Sequence, residues 1–191
     1  PELPFSTTAS FAYASQSADG SSGNAQGGTS GDSLEEYSIN TTPVDGLNIQ
    51  AQYYKKNDYA DGVTTENQLE EGGAYAVTYA AGNVTIGYGR SMKAPEGSSI
   101  ATGATTVEYY ENTGMSVGFA VNDELSVSYS TETGERNFET SSTVSYDVDV
   151  NSIQAAYSLG GATLSIARAD YDNISYVNGT NASDTIIALN F

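Results

Sequence analysis

The sequence predicts an all-β chain whose ten antiparallel strands run up and down in sequence order, as in a transmembrane β-barrel. Three observations predict it. Apolar and small polar residues alternate at the period of a strand through most of the 191 residues. The connections between alternating segments are short and long in strict turn. The last segment, DTIIALNF (184–191), alternates up to a terminal aromatic ring, although chain ends are poorly ordered unless something ties them down. Amphipathic helical spacing recurs nowhere.

Each strand has its own alternation. The segment 5–16 puts Phe5, Ala9, Phe11 and Tyr13 on one face, and 33–42 does the same for Tyr37, Ile39 and Thr41. In 46–57, Leu47, Ile49, Ala51 and Tyr53 oppose Asn48, Gln50 and Gln52. Tyr75, Val77 and Tyr79 share a face in 70–80, and Val84, Ile86 and Tyr88 in 83–92. Met115, Val117, Phe119 and Val121 do so in 104–121, and Leu125, Val127 and Tyr129 in 125–133. The segment 141–159 aligns Ile153, Ala155, Tyr157 and Leu159, while Val148 and Val150 fall on the other parity, so a bulge is expected near Asn151. After 162–172, the closing strand 184–191 sets Thr185, Ile187, Leu189 and Phe191 against Asp184, Ile186, Ala188 and Asn190.

The links PVDG (43–46), AGN (81–83), NDE (122–124) and GGA (160–162) carry the Gly, Asn and Asp of tight hairpins. Between them lie polar loops at 17–32, 58–69, 93–103, 134–140 and 173–183. Greek-key sandwiches do not sort their loops this way. Membrane barrels do, with short periplasmic turns and longer external loops. In such a barrel the apolar face meets lipid, so Ile49, Val77, Ile86, Val117, Val127, Tyr157 and Leu189 are expected to face outward. The opposite face is small and polar: Thr85, Gly87, Ser116, Gly118, Ala120, Ser126, Ser128 and Ser130. The 15 tyrosines lie mostly near strand ends, where interface girdles form.

Composition removes several functions. With 24 acidic and 6 basic residues the net charge is −18, which argues against nucleic acid. There is no cysteine and no histidine. Thiol chemistry, the commonest general base and the commonest metal ligand go with them. DVDVN (147–151) opens like a calcium loop, but Ser152 and Ser158 stand where that loop needs Gly and Glu. No catalytic residue, metal site or cofactor is expected. No run of 18 apolar residues provides a membrane helix, and no secretory signal opens the chain at Pro1. The chain is expected to be processed, or a portion of something longer.

Two hairpins, MSVGFAVNDELSVSYS and IQAAYSLGGATLSIARADYDN, together with the terminal strand ending in Phe, resemble the general diffusion porins of Gram-negative bacteria, the alphaproteobacterial ones in particular. The likeness covers essentially the whole chain. It implies a 16-stranded barrel of which these are the last ten strands, as a single domain over 1–191, in a homotrimer in the outer membrane. It also implies recognition of Thr185, Ile187, Leu189 and Phe191 by the barrel-assembly machinery. The narrowing third loop would lie in the absent first six strands. A closed ten-stranded barrel would be narrow. Unpaired carboxylates in a dry lumen are costly, so this polar face calls for water.

By parity Glu36, Gln50, Gln52, Glu108, Ser128, Asp147, Asp149 and Gln154 are expected to line the pore, and rings of carboxylate favour cations. Lys55, Arg90 and Lys93, near the tops of upward strands, are expected to meet lipopolysaccharide phosphates at the rim. Two other readings fit parts of the pattern. One is a different outer-membrane barrel, either a substrate-specific channel or the end of a plugged 22-stranded transporter. The other is a soluble acidic β-rich surface protein, which detergent dependence would separate from both.

Overall fold

The computed structural model describes residues 3–15, 33–57, 69–95, 107–139 and 144–191. Ten strands are present: β1 (Thr8–Ser15), β2 (Ser33–Val44), β3 (Leu47–Asn57), β4 (Glu71–Ala81), β5 (Val84–Ala94), β6 (Val107–Ala120), β7 (Leu125–Phe138), β8 (Val148–Ser158), β9 (Thr163–Asp172) and β10 (Ala182–Asn190). They form one antiparallel sheet in the order β1 to β10, each strand paired with its sequence neighbours. There is no crossover, and the one helical element among the described residues is a 3-10 turn, Ile174–Tyr176. β1 and β10 are the two edges; they do not pair with each other, so the sheet is open.

The four tight turns lie together at one end and are laced to the neighbouring strands. Ala80 N donates to Gly46 O at 2.9 Å, Ala120 N to Asn83 O at 2.9 Å, and Ser158 N to Glu124 O at 2.8 Å. Gly46, Gly82 and Gly160 take the left-handed conformation, φ +77°, +60° and +75°. In the β6–β7 turn, Asn122 Oδ1 instead accepts from the Glu124 and Leu125 amides, at 2.9 and 2.8 Å. A side-chain carbonyl thus replaces the glycine.

Strand boundaries differ most from expectation in β1, β7 and β8. Phe5 and Ser6 have positive φ, and β1 begins only at Thr8. β7 runs to Phe138 through the expected loop 134–140, because its ladder with β6 continues through Arg136↔Tyr110. TGERNF is polar on both faces and so lacks the alternation that marks a strand. β8 starts at Val148 rather than 141, and residues 141–143 lie outside the described set. No bulge occurs at Asn151: β8 keeps unbroken register with both β7 and β9. Val148 and Val150 simply occupy the polar face. Two bulges unmarked in the sequence occur instead, between Thr41 and Val44 and between Val107 and Tyr109. The expected loop 17–32, residues 58–68 of the expected loop 58–69 and residues 96–103 of the expected loop 93–103 lie outside the described residues, and β5 runs to Ala94.

No hydrophobic side chain is buried among the described residues. A single sheet buries an apolar face only against another layer, and here that face stays open: Ile187 is 68% exposed and Phe191 97%.

Candidate functional site

Register decides which side chains share a face, because residues directly opposite in an antiparallel pair point the same way. All seven residues expected to face outward fall on one side of the sheet, for example through Ile49↔Val77, Ile86↔Val117, Val117↔Tyr129 and Tyr157↔Leu164↔Leu189. From the turn end upward, β3 to β8 each present at least three apolar or aromatic side chains on this face. On β6 these are Phe119, Val117 and Met115; on β5 they are Val84, Ile86 and Tyr88.

Tyrosines cap the band. Tyr37 and Tyr53 have ring centroids 6.4 Å apart, and Tyr75 and Tyr88 6.0 Å. Their partners lie toward the loop end: Tyr37 Oη donates to Glu35 at 3.0 Å, Tyr53 Oη to Glu71 at 2.6 Å, and Tyr129 Oη to Asn151 Oδ1 at 2.8 Å. Ring low and hydroxyl high puts the apolar body of each tyrosine on the band and its polar tip toward the charged end.

Above these tyrosines this face is charged. It carries Glu35, Glu71, Glu111, Glu135, Asp149, Asp170 and Asp172 against Lys55, Arg90 and Arg168. Lys55 pairs with Glu35 at 3.4 Å and Arg90 with Glu111 at 2.6 Å. Both bases thus reach the expected rim, but each already holds a carboxylate. Glu111 is only 8% exposed. Glu111→Ala is therefore expected to cost about 1–3 kcal/mol, the loss of a charge-assisted hydrogen bond from Arg90, read from urea unfolding in lipid vesicles.

The other face is small and polar. Glu36, Gln50, Gln52, Ser128 and Gln154 share it, as expected. Clefts of about 410, 280, 310 and 420 Å³ run along it. Amides bridge one another there: Asn48 Nδ2 donates to Asn40 Oδ1 at 3.0 Å, and Gln50 Nε2 to Asn48 Oδ1 at 2.8 Å.

Three expected pore residues lie elsewhere. Asp149 is on the apolar side, where Thr133 Oγ1 donates to it at 2.7 Å, because the bulge that would have turned it does not exist. Glu108 sits in the β6 bulge and lines a cleft of about 880 Å³ with Tyr53, Tyr75, Arg90 and Met92, all of the apolar side. Asp147 precedes β8, and its carbonyl accepts from Asn173 Nδ2 at 3.0 Å. Lys93 is also reassigned: it is on the polar face, not beside Lys55 and Arg90. There Glu70 receives Lys56 at 2.7 Å, Lys93 at 3.2 Å and Tyr54 Oη at 3.1 Å. The hydrogen bond from Lys56, above all, holds the Glu70 carboxyl below its usual range. The charged residues of the polar face are thus Glu36, Glu70, Glu132 and Asp184 against Lys56, Lys93 and Arg136, close to balance.

At the end of the chain, Thr185, Ile187 and Leu189 align on the apolar face with Arg168, Ile166 and Leu164, and Phe191 follows the last ladder residue, Asn190.

A cluster that the sequence did not mark lies at the loop end of the polar face. The Arg136 guanidinium carbon stands 4.9 Å from the Phe138 ring centre and 4.6 Å from that of Tyr176, and Tyr110 and Tyr176 have centroids 5.9 Å apart. Burial pushes the Tyr176 hydroxyl pKa up. These residues come from three separate segments, and only the register shows that they meet.

The chain matches no protein-family model and no curated protein.

Proposed function

We propose that these ten strands form part of the wall of an outer-membrane channel through which small hydrophilic solutes and ions pass passively. One observation carries the reading: a continuous band of apolar side chains along one sheet face, edged by tyrosines and covered by no layer among the described residues, backed by a polar face lined with clefts. Hydrocarbon is the solvent that suits the first face and water the second. The resemblance to porins agrees with this. The open edges of β1 and β10 call for further strands, because unpaired backbone groups in lipid are costly. The reading includes a homotrimer, contact with lipopolysaccharide at the loop end, and delivery by the assembly machinery through the β10 face and Phe191. No step in it is catalytic.

Cation preference has a smaller basis than parity alone gives, since Asp149 lies on the apolar side, Glu108 in the β6 bulge and Asp147 before β8. The near balance there predicts weak selectivity from these strands. In planar bilayers the protein is expected to give ohmic currents. Glu36→Gln with Glu132→Gln is expected to move the zero-current potential by only a few millivolts in about 0.1 M salt, where the Debye length is about 10 Å. A protein that gives no current and remains monomeric in water without detergent would refute the channel.

A further inference from the structure

We propose that the β9–β10 connection, 173–181, is an inward-folded constriction latched on Arg136, and that Arg136 supplies its governing charge and a subsite for carboxylate-bearing solutes. This rests on the polar face being the lumen.

Tyr110, Arg136 and Phe138 belong to β6 and β7 and share the polar face by register. Tyr176 belongs to the connection that leaves β9. Neighbouring strands are about 4.8 Å apart, so Tyr176 crosses β8 and reaches roughly 14 Å sideways, over the polar face, to stack on β7 and β6. The guanidinium carbon stands 4.9 Å from the centre of the Phe138 ring and 4.6 Å from that of Tyr176.

The connection is built to hold this shape. Its neck is closed by Ile174 N to Thr180 O at 2.8 Å and Gly179 N to Asn173 Oδ1 at 3.0 Å. Asn173 Nδ2 pins it to the segment before β8. Asn173, Ser175 and Tyr176 all have positive φ, +55°, +61° and +63°. Non-glycine residues keep that conformation only where contacts enforce it, and the Arg136 stack is such a contact.

The charge is available. Lys55, Lys56, Arg90, Lys93 and Arg168 each pair with a carboxylate. Arg136 has no carboxylate partner among the described residues, and its Nε is buried without an acceptor. Two rings stand within 5 Å of the guanidinium carbon, and its terminal N–H groups are the part that grips a carboxylate. A chain of net charge −18 therefore places at this narrowing a cation with no ion-pair partner among the described residues. Glu135, its neighbour, lies on the opposite face, and Glu132 is four residues back along the strand, so Arg136 is the charge of the polar face nearest this connection.

Photo-oxidative dityrosine coupling of the full chain in detergent or vesicles, mapped by mass spectrometry, tests the placement. A Tyr110–Tyr176 adduct is expected beside a Tyr75–Tyr88 adduct, whose rings are at a similar 6.0 Å and which reports the fold. Arg136→Gln is expected to lower the first several-fold and leave the second. Formation of the Tyr75–Tyr88 adduct alone in the native chain overturns the inward fold. Bilayer recording tests the role: Arg136→Gln is expected to shift selectivity toward cations and weaken current block by succinate. Tyr176→Ala is expected to raise conductance on the order of twofold, as removal of a constriction does. Unchanged selectivity, block and conductance overturn the constriction while the channel stands. A silent native protein overturns the channel, and the constriction with it.

Discussion

Arginine in place of Val117 is expected to destabilise the chain in phospholipid vesicles by about 2–4 kcal/mol, the cost of that charge near a bilayer midplane on the lipid face of a barrel. Val117 is the middle residue of the β6 apolar band, between Phe119 and Met115, with Ile86 and Tyr129 directly opposite. It is 44% exposed on the bare sheet. If water covered this face, such a substitution would fall within about 0.5 kcal/mol of neutral. The size of the effect therefore reports the solvent. Ser128→Arg, on the polar face of the next strand, is the matched control and is expected to cost little. Urea titration of vesicle-folded protein reads both, and equal costs would contradict the assignment of faces.

Gly46→Ala is expected to cost about 3 kcal/mol. Two terms combine. The residue has φ +77°, a conformation that costs a side chain of order 1–3 kcal/mol. A methyl there would also stand 2.1 Å from Ala80 O, at the end of the adjoining hairpin. Relieving that clash disturbs the Ala80 N to Gly46 O hydrogen bond, worth about 0.5–1.5 kcal/mol. Gly160→Ala separates the terms: φ is +75° but no atom lies within 4 Å. It is expected to cost only the backbone part. Equal losses at the two sites would show that Gly46 matters for its φ alone.

The hairpin order was legible because two signals agreed. Alternation marked the strands, and Asp-Gly, Gly-Asn, Asn-Asp and Gly-Gly marked the turns. Where alternation stopped, the reading stopped too. β7 continues to Phe138 on backbone pairing, which polar side chains do not reveal. In β8 the change of parity between Val150 and Ile153 reads in the sequence as a bulge. The ladder is regular, and the valines lie on the polar side. That one inference moved Asp149 to the wrong face. The β6 bulge moved Glu108 in the same way, and nothing in VEYYEN signals it. Charges near the loop end were therefore the least legible part of the site, since a slip of one residue exchanges the two faces. The Arg136 cluster was invisible for another reason. Tyr110, Arg136 and Tyr176 are distant in sequence, and their meeting depends on the conformation of the connection, not on any pattern.

The central claim is that hydrocarbon covers one face of this sheet and water the other. Spin labels placed singly at Met115, Ser116, Val117, Gly118 and Phe119, in phospholipid vesicles, test it most directly. The account predicts strict alternation: relaxation by oxygen at Met115, Val117 and Phe119, and by a water-soluble nickel chelate at Ser116 and Gly118. Uniform access of the nickel chelate to all five positions would contradict it.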